Sequence, residues 1–244
     1  MGALETINLG ADFAEAAVAA VCCLLCIRRA QKEKENRLFH VLLAGFYVCI
    51  FLCDAFVILA WLVIDYPYII APSDLSWVGA IMFLITADMG MADERTAFRK
   101  RAEGGHDADV IAAGGHGPDA LIARKHRLAA LVAPAVCTVF NAAFIAIYPE
   151  IIANYILYYI PTAILSYYAL LLYLESRKTG GIQTSLRLYH MATLAWILIQ
   201  LLHNLFSTLG WDYGYAVYMT VCVCLLTLAT PGIYFAARKG ASAL

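Results

Sequence analysis

Residues 38–63 read LFHVLLAGFYVCIFLCDAFVILAWLV, a run of membrane-spanning length with one carboxylic acid, Asp54, near its middle. A charged group at that depth costs about 2.5–3.5 kcal/mol on insertion scales unless it faces a bundle interior or a wet cavity. Steps of seven residues return close to the same helix face, so His40, Tyr47, Asp54 and Trp61 form one stripe that is expected to look inward. Asp54 is therefore the first candidate for function. Its alternative role is structural: a hydrogen bond to a neighbouring Asn, Ser or Tyr that locks two helices together.

The surrounding chain has the same character. Of 244 residues, 63% are hydrophobic and 14% charged, the composition of a polytopic membrane protein. Windows of about 20 apolar residues give seven candidate spans: Ala11–Ile27, Leu38–Ile64, Leu75–Met91, Leu128–Tyr148, Ile151–Leu174, Leu186–Thr208 and Tyr213–Ala236. The 17 Lys and Arg follow the first, third, fifth and seventh spans only. Seven crossings put them all on one side, and the positive-inside rule makes that side cytoplasmic. The expected fold is a single-domain, all-α, seven-transmembrane-helix bundle in the plasma (inner) membrane, with the N-terminus outside and the C-terminus cytoplasmic. The stretch 92–127 reads as a flexible cytoplasmic loop, Gly-rich at its centre. Its basic flank, Arg95, Arg99, Lys100 and Arg101, suits lipid headgroups or a cytoplasmic protein partner. No nucleic-acid partner is expected.

The eight Cys all lie in spans, where they act as small packing residues, so no disulfide framework is implied. The first apolar segment is preceded by acids rather than bases, which argues against a cleavable signal peptide. Asp12 and Glu15 read as interfacial acids of the first helix, although Glu15 also fits an outer-vestibule carboxylate. Asp88, in the inner third of the third span, is either an intrabundle hydrogen-bonding group or a solvated helix end.

Polar side chains recur at helical spacing in the later spans. Asn154, Tyr158, Thr162 and Ser166 make a stripe in the fifth, around a mid-helix Pro161 that is expected to kink it. His190, Thr193, Trp196, Gln200, His203, Asn204 and Ser207 share one face of the sixth. Thr220, Cys224, Thr227, Pro231 and Tyr234 repeat the pattern in the seventh. Facing stripes would enclose an outward-opening, aromatic-rimmed cavity with Asp54 in its depth. The candidate ligand contacts are Asp54, Tyr47, Trp61, Tyr158, Thr162, Trp196, Gln200, His203, Asn204 and Thr220. Pro161 and Pro231 are the candidate helix pivots.

Several chemistries lack their residues. No lysine sits within a span to carry a retinal Schiff base, and no HExxH, GxSxG, Walker or Rossmann pattern occurs. His190 and His203 have no matched histidines on a second helix for a pair of haems. The reading is therefore no enzyme, no cofactor and no metal.

Asp54 and Trp61 in the second span, with Pro161 in the Tyr-rich fifth, give a pattern that resembles the seven-helix N-terminal regions of bacterial membrane signalling proteins fused to histidine kinases or diguanylate cyclases. The resemblance implies a ligand-sensing bundle that drives a cytoplasmic output. Because the sequence ends at Leu244, eight residues after Ala236, the output is expected to be a separate partner. Asp54, the DER of Asp93–Arg95, Pro161 and the TPGIY of Thr230–Tyr234 are also similar to features of G-protein-coupled receptors. Thr230 stands where that family carries Asn or Asp. The expected function is a small-ligand sensor; a small-solute or proton-coupled transporter and a non-catalytic subunit of a membrane complex are the alternatives.

Overall fold

The computed structural model describes residues 2–34, 36–63, 72–103, 118–147, 152–176, 182–209 and 215–241. Among these, every regular element is helical: α1 (Ala3–Lys32), α2 (Arg37–Val63), α3 (Pro72–Glu103), α4 (Pro118–Ala130), α5 (Val132–Ile147), α6 (Ile152–Glu175), α7 (Ile182–Leu209) and α8 (Ala216–Ala241). Six helical stretches are long and apolar enough to cross a membrane: α1, α2, Pro72–Ala92 of α3, Arg124–Ala143 across α4 and α5, Ile156–Glu175 of α6 and Ala216–Lys239 of α8. The 28-residue α7, which carries the polar residues from His190 to Ser207, is not among these six. Leu62, Val63, Val139 and Leu228 are exposed on the outside of the bundle, the surface expected of a chain solvated by lipid.

Three element boundaries depart from the sequence reading. First, α1 starts at Ala3 rather than Ala11, which puts Asp12 and Glu15 inside the helix instead of in its outer turn. Second, the stretch 92–127 is not one loop, since α3 continues to Glu103 and α4 begins at Pro118. DERTAFRKRAE contains good helix formers and no Gly or Pro before Gly104, and Pro118 sits at the first helical position, where its missing N–H is harmless. The GGH segments at 104–106 and 114–116 lie outside the described residues, as do the side chains of Arg95, Arg99, Lys100 and Arg101. Third, the fourth apolar run is two helices. The Pro134 ring conflicts with the carbonyl one turn earlier, and the chain turns at Leu131, whose N–H reaches Leu128 O at 3.2 Å before Ala135 N–H resumes the ladder to Leu131 O at 3.1 Å.

The helices form a closed ring. α1 packs on α2 and α8, α2 on α3, α3 on α6, α6 on α7, and α7 on α8. α4 and α5 lie outside it against α6, so the fourth apolar run does not line the interior. Inside the ring Trp196 of α7 stacks on Trp77 of α3 at 5.2 Å and meets Phe46 of α2 edge-on at 5.6 Å. The α2–α3 seam is close because both helices carry glycine there: a Cβ on Gly45 would lie 2.5 Å from the Phe83 ring, and one on Gly79 3.0 Å from Cys49 Sγ.

Candidate functional site

The α1–α2 hairpin positions the central groups. The connection between them is short, so the two helices run antiparallel, and residues seven apart on one meet residues seven apart on the other. Near the connection, His40 Nε2 lies 2.9 Å from Glu33 Oε2, and Arg29 donates to Glu33 Oε1 at 2.9 Å. One rung on, the Cys22 thiol lies against the Tyr47 hydroxyl. At the next rung Asp54 comes within electrostatic reach of Glu15, and of Asp12 one turn from it. The stripe of His40, Tyr47 and Asp54 faces inward as its spacing predicts, with each residue 5% exposed or less.

Trp61 does not follow. It is 46% exposed, on the outer face. A seven-residue step falls short of two full helical turns and drifts by about 20°; three steps from His40 carry Trp61 out of the seam. The rung opposite, Asn8, is thereby left with both carboxamide atoms buried and without a partner.

α8 closes the site from its other side. Thr230 Oγ1 donates to Glu15 Oε1 at 2.6 Å, and the Tyr47 hydroxyl donates to the Thr230 carbonyl at 3.0 Å. Thr230 thus ties α1 and α2 to the residue just before Pro231. Glu15 is 3% exposed and Asp54 5%, and Asp54 Oδ2 is buried with no hydrogen-bond partner. The acids of α1 are a correction to the interfacial reading of Glu15. The signal was present: Asn8, Glu15, Cys22 and Arg29 recur at sevens on α1 just as His40, Tyr47 and Asp54 do on α2.

The other candidate contacts are dispersed. Tyr158 donates to Asp74, joining the starts of α6 and α3. Thr162 is buried on α6. Trp196 is 1% exposed within the aromatic core, so it fills the ring rather than lining an opening. Gln200 donates to Asn204 Oδ1 at 3.1 Å along α7, with Gln200 Oε1 and His203 Nδ1 buried and unpartnered. Thr220 bonds back to Ala216 O at 2.9 Å in its own helix. Pro161 and Pro231 lie inside α6 and α8, and both helices continue through them. A shallow groove of about 390 Å³ on the α1–α2 seam is lined by Phe13, Ala16, Phe51, Ile58, Leu59 and other apolar residues, with Phe13, Phe51 and Leu59 exposed on the outside of the bundle.

A second polar cluster lies toward the opposite end of the ring. Asp88 of α3 and His190 of α7 are both fully buried, with His190 Nδ1 3.7 Å from Asp88 Oδ1. This resolves Asp88 as an intrabundle group. Tyr189 lies between Asp88 and the Phe39 ring, which it meets edge-on at 5.4 Å. Among the described residues no three His, Cys, Asp or Glu side chains converge as a metal site.

The fold and site together define an all-helical, multi-pass membrane protein with acidic side chains buried between its first two helices. No protein-family model matches the chain, and no curated protein and no solved structure shows significant similarity to it.

Proposed function

We propose that the protein is a sensor that crosses the plasma membrane seven times, with its N-terminus outside and its basic helix ends in the cytoplasm. A small ligand entering from the N-terminal end of α1 is bound at Asp54. The observation that carries this reading is the connection made there: Glu15 of α1 holds the Thr230 hydroxyl, and Tyr47 of α2 holds the Thr230 carbonyl, next to the proline of α8. A ligand that draws Glu15 or Asp54 toward itself changes how α1 and α2 grip α8, and α8 ends in Arg238 and Lys239, where a cytoplasmic partner or anionic lipid would read the change.

Thermal unfolding of the purified chain against a metabolite panel, with Asp54→Asn beside the wild type, tests this. A saturable rise in the wild-type midpoint that follows ligand concentration and disappears in the variant is expected. No shift with any compound, together with normal melting of the variant, would overturn it. The transporter reading has one observation in its favour, the buried acid–base pair of Asp88 and His190, a second titratable cluster inside the ring. Flux into proteoliposomes abolished by Asp54→Asn would establish that reading in place of the sensor.

A further inference from the structure

We propose that the carboxyl groups of Asp12, Glu15 and Asp54, with the Asn8 carboxamide, form a binding site for a small organic ammonium ion. The proposal rests on Asp54 as the ligand anchor and names the chemical class of the ligand.

Charge is the first argument. Residues 1–27, 38–94 and 188–237 contain no Lys or Arg, so the outer part of α1, α2 beyond Arg37 and α8 before its last turn carry neither. Among the described residues none of the three acids belongs to an ion pair, yet all three are within electrostatic reach of one another. Where these acids are ionised, their countercharge has to come from outside these segments.

The second argument is independent of the acids. Asn8 is 5% exposed, and neither its Oδ1 nor its Nδ2 has a partner. It lies one turn before Asp12 and two turns before Glu15 on the buried side of α1, and the residue that the hairpin register would set against it, Trp61, has turned outward. Asp54 Oδ2 is likewise buried and unbonded. Buried polar atoms are almost always satisfied, and an unsatisfied group calls for an explanation such as a bound ligand. Asn8, as a separate group beside these acids, gives a ligand a donor and an acceptor together with the carboxyl groups.

The third argument separates an ammonium ion from a metal. A bare divalent ion needs several oxygens at about 2.0–2.6 Å from one point, and no three of the described acids, His or Cys converge in that way. The acids are spread instead over one turn of α1 and across to α2. An N–H donor bonds a carboxylate at about 2.7–2.9 Å, and the carbon skeleton behind it can lie on apolar wall such as Ala16 and Cys53, both buried beside the acids. Thr230 holds one oxygen of Glu15 at 2.6 Å and so fixes the orientation of that carboxylate before a ligand arrives.

The test uses the full chain in nanodiscs of zwitterionic lipid, titrated calorimetrically with propylammonium and with diaminobutane. Propanol serves as the neutral analogue, and sodium and calcium chloride at matched ionic strength as the inorganic cations. Saturable binding of the amines, absent for propanol and both salts, is expected. Glu15→Gln and Asp54→Asn should each weaken it about tenfold or more, the loss of one charged contact. Asp88→Asn removes a buried acid at the other end of the ring, outside this site, and it should keep the amine affinity, which separates loss of a ligand contact from general damage to the fold. Calcium binding as tightly as the amines, amine affinity unchanged in both acid variants, or protons as the only species bound would overturn the proposal. If the amines fail while a neutral or anionic metabolite binds in an Asp54-dependent way, the ammonium site is wrong and the sensor stands. If the amines bind through the acids and also cross into proteoliposomes, the site stands and the sensor is wrong.

Discussion

Two buried polar regions of this bundle hold acids under opposite conditions. Toward the N-terminal end of α1, Glu15 and Asp54 come from adjacent helices with Asp12 beside them, and the Thr230 hydroxyl donates to Glu15. Toward the other end, Asp88 has a base, His190, at 3.7 Å. There a carboxyl of α3 and an imidazole of α7 face each other across the ring, and removing one member takes from the other its neighbour of opposite character. Acids set against acids repel when ionised, and in the proposed reading that is what opens them to a ligand. Burial is alike at the two sites; the charge of the neighbour is what differs.

The largest expected effect breaks the comparison at its structural side. Asp88→Ala leaves His190 in the core without its acid and should destabilise the protein by about 3–5 kcal/mol, read as a lowered midpoint of unfolding in detergent. Asp54→Asn, at a site of similar burial, should be neutral or mildly stabilising because it removes repulsion. Equal losses in the two variants would show that Asp54 is structural after all.

A smaller effect sharpens the link from the acids to α8. Tyr47→Phe deletes the bond to the Thr230 carbonyl and the hydroxyl's contact with the Cys22 thiol and should lower stability by about 0.6 kcal/mol for each, the average for polar contacts between membrane helices. Its sharper readout is functional: a ligand that binds Asp54 should still bind, while the response at the cytoplasmic end of α8, followed by a spectroscopic label near Lys239, is reduced. The smallest effect belongs to Trp61→Ala. On the outer surface it should change stability by no more than about 0.5 kcal/mol and leave ligand affinity unchanged. A strong loss of affinity would restore Trp61 to the site.

Much of the helical framework was legible because apolar runs and polar periodicity are local properties of a helix. The buried stripe of His40, Tyr47 and Asp54 follows from seven-residue spacing, and that spacing also misled at Trp61, where the accumulated drift exceeds the width of the seam. Glu15 was harder to see. A helix end inferred from hydropathy alone stops where the acids begin, and it was the packing of α1 along the full length of α2 that drew them inside. The pairing of Asp88 with His190 was not legible at all, since about a hundred residues separate them and nothing local to either names its partner.

The sequence by itself determined that this chain is helical and apolar enough to cross a membrane several times, that its basic residues gather at helix ends, and that Asp54 is an acid in an apolar setting. Only the tertiary structure decided that α4 and α5 stand outside the ring, that Asp88 has a base while Asp54 has other acids, and that Thr230 joins three helices at one point. The division has a physical origin. Partition into lipid and helix formation depend on each segment's own composition, whereas the partner of a buried polar group depends on which helix faces packing brings together.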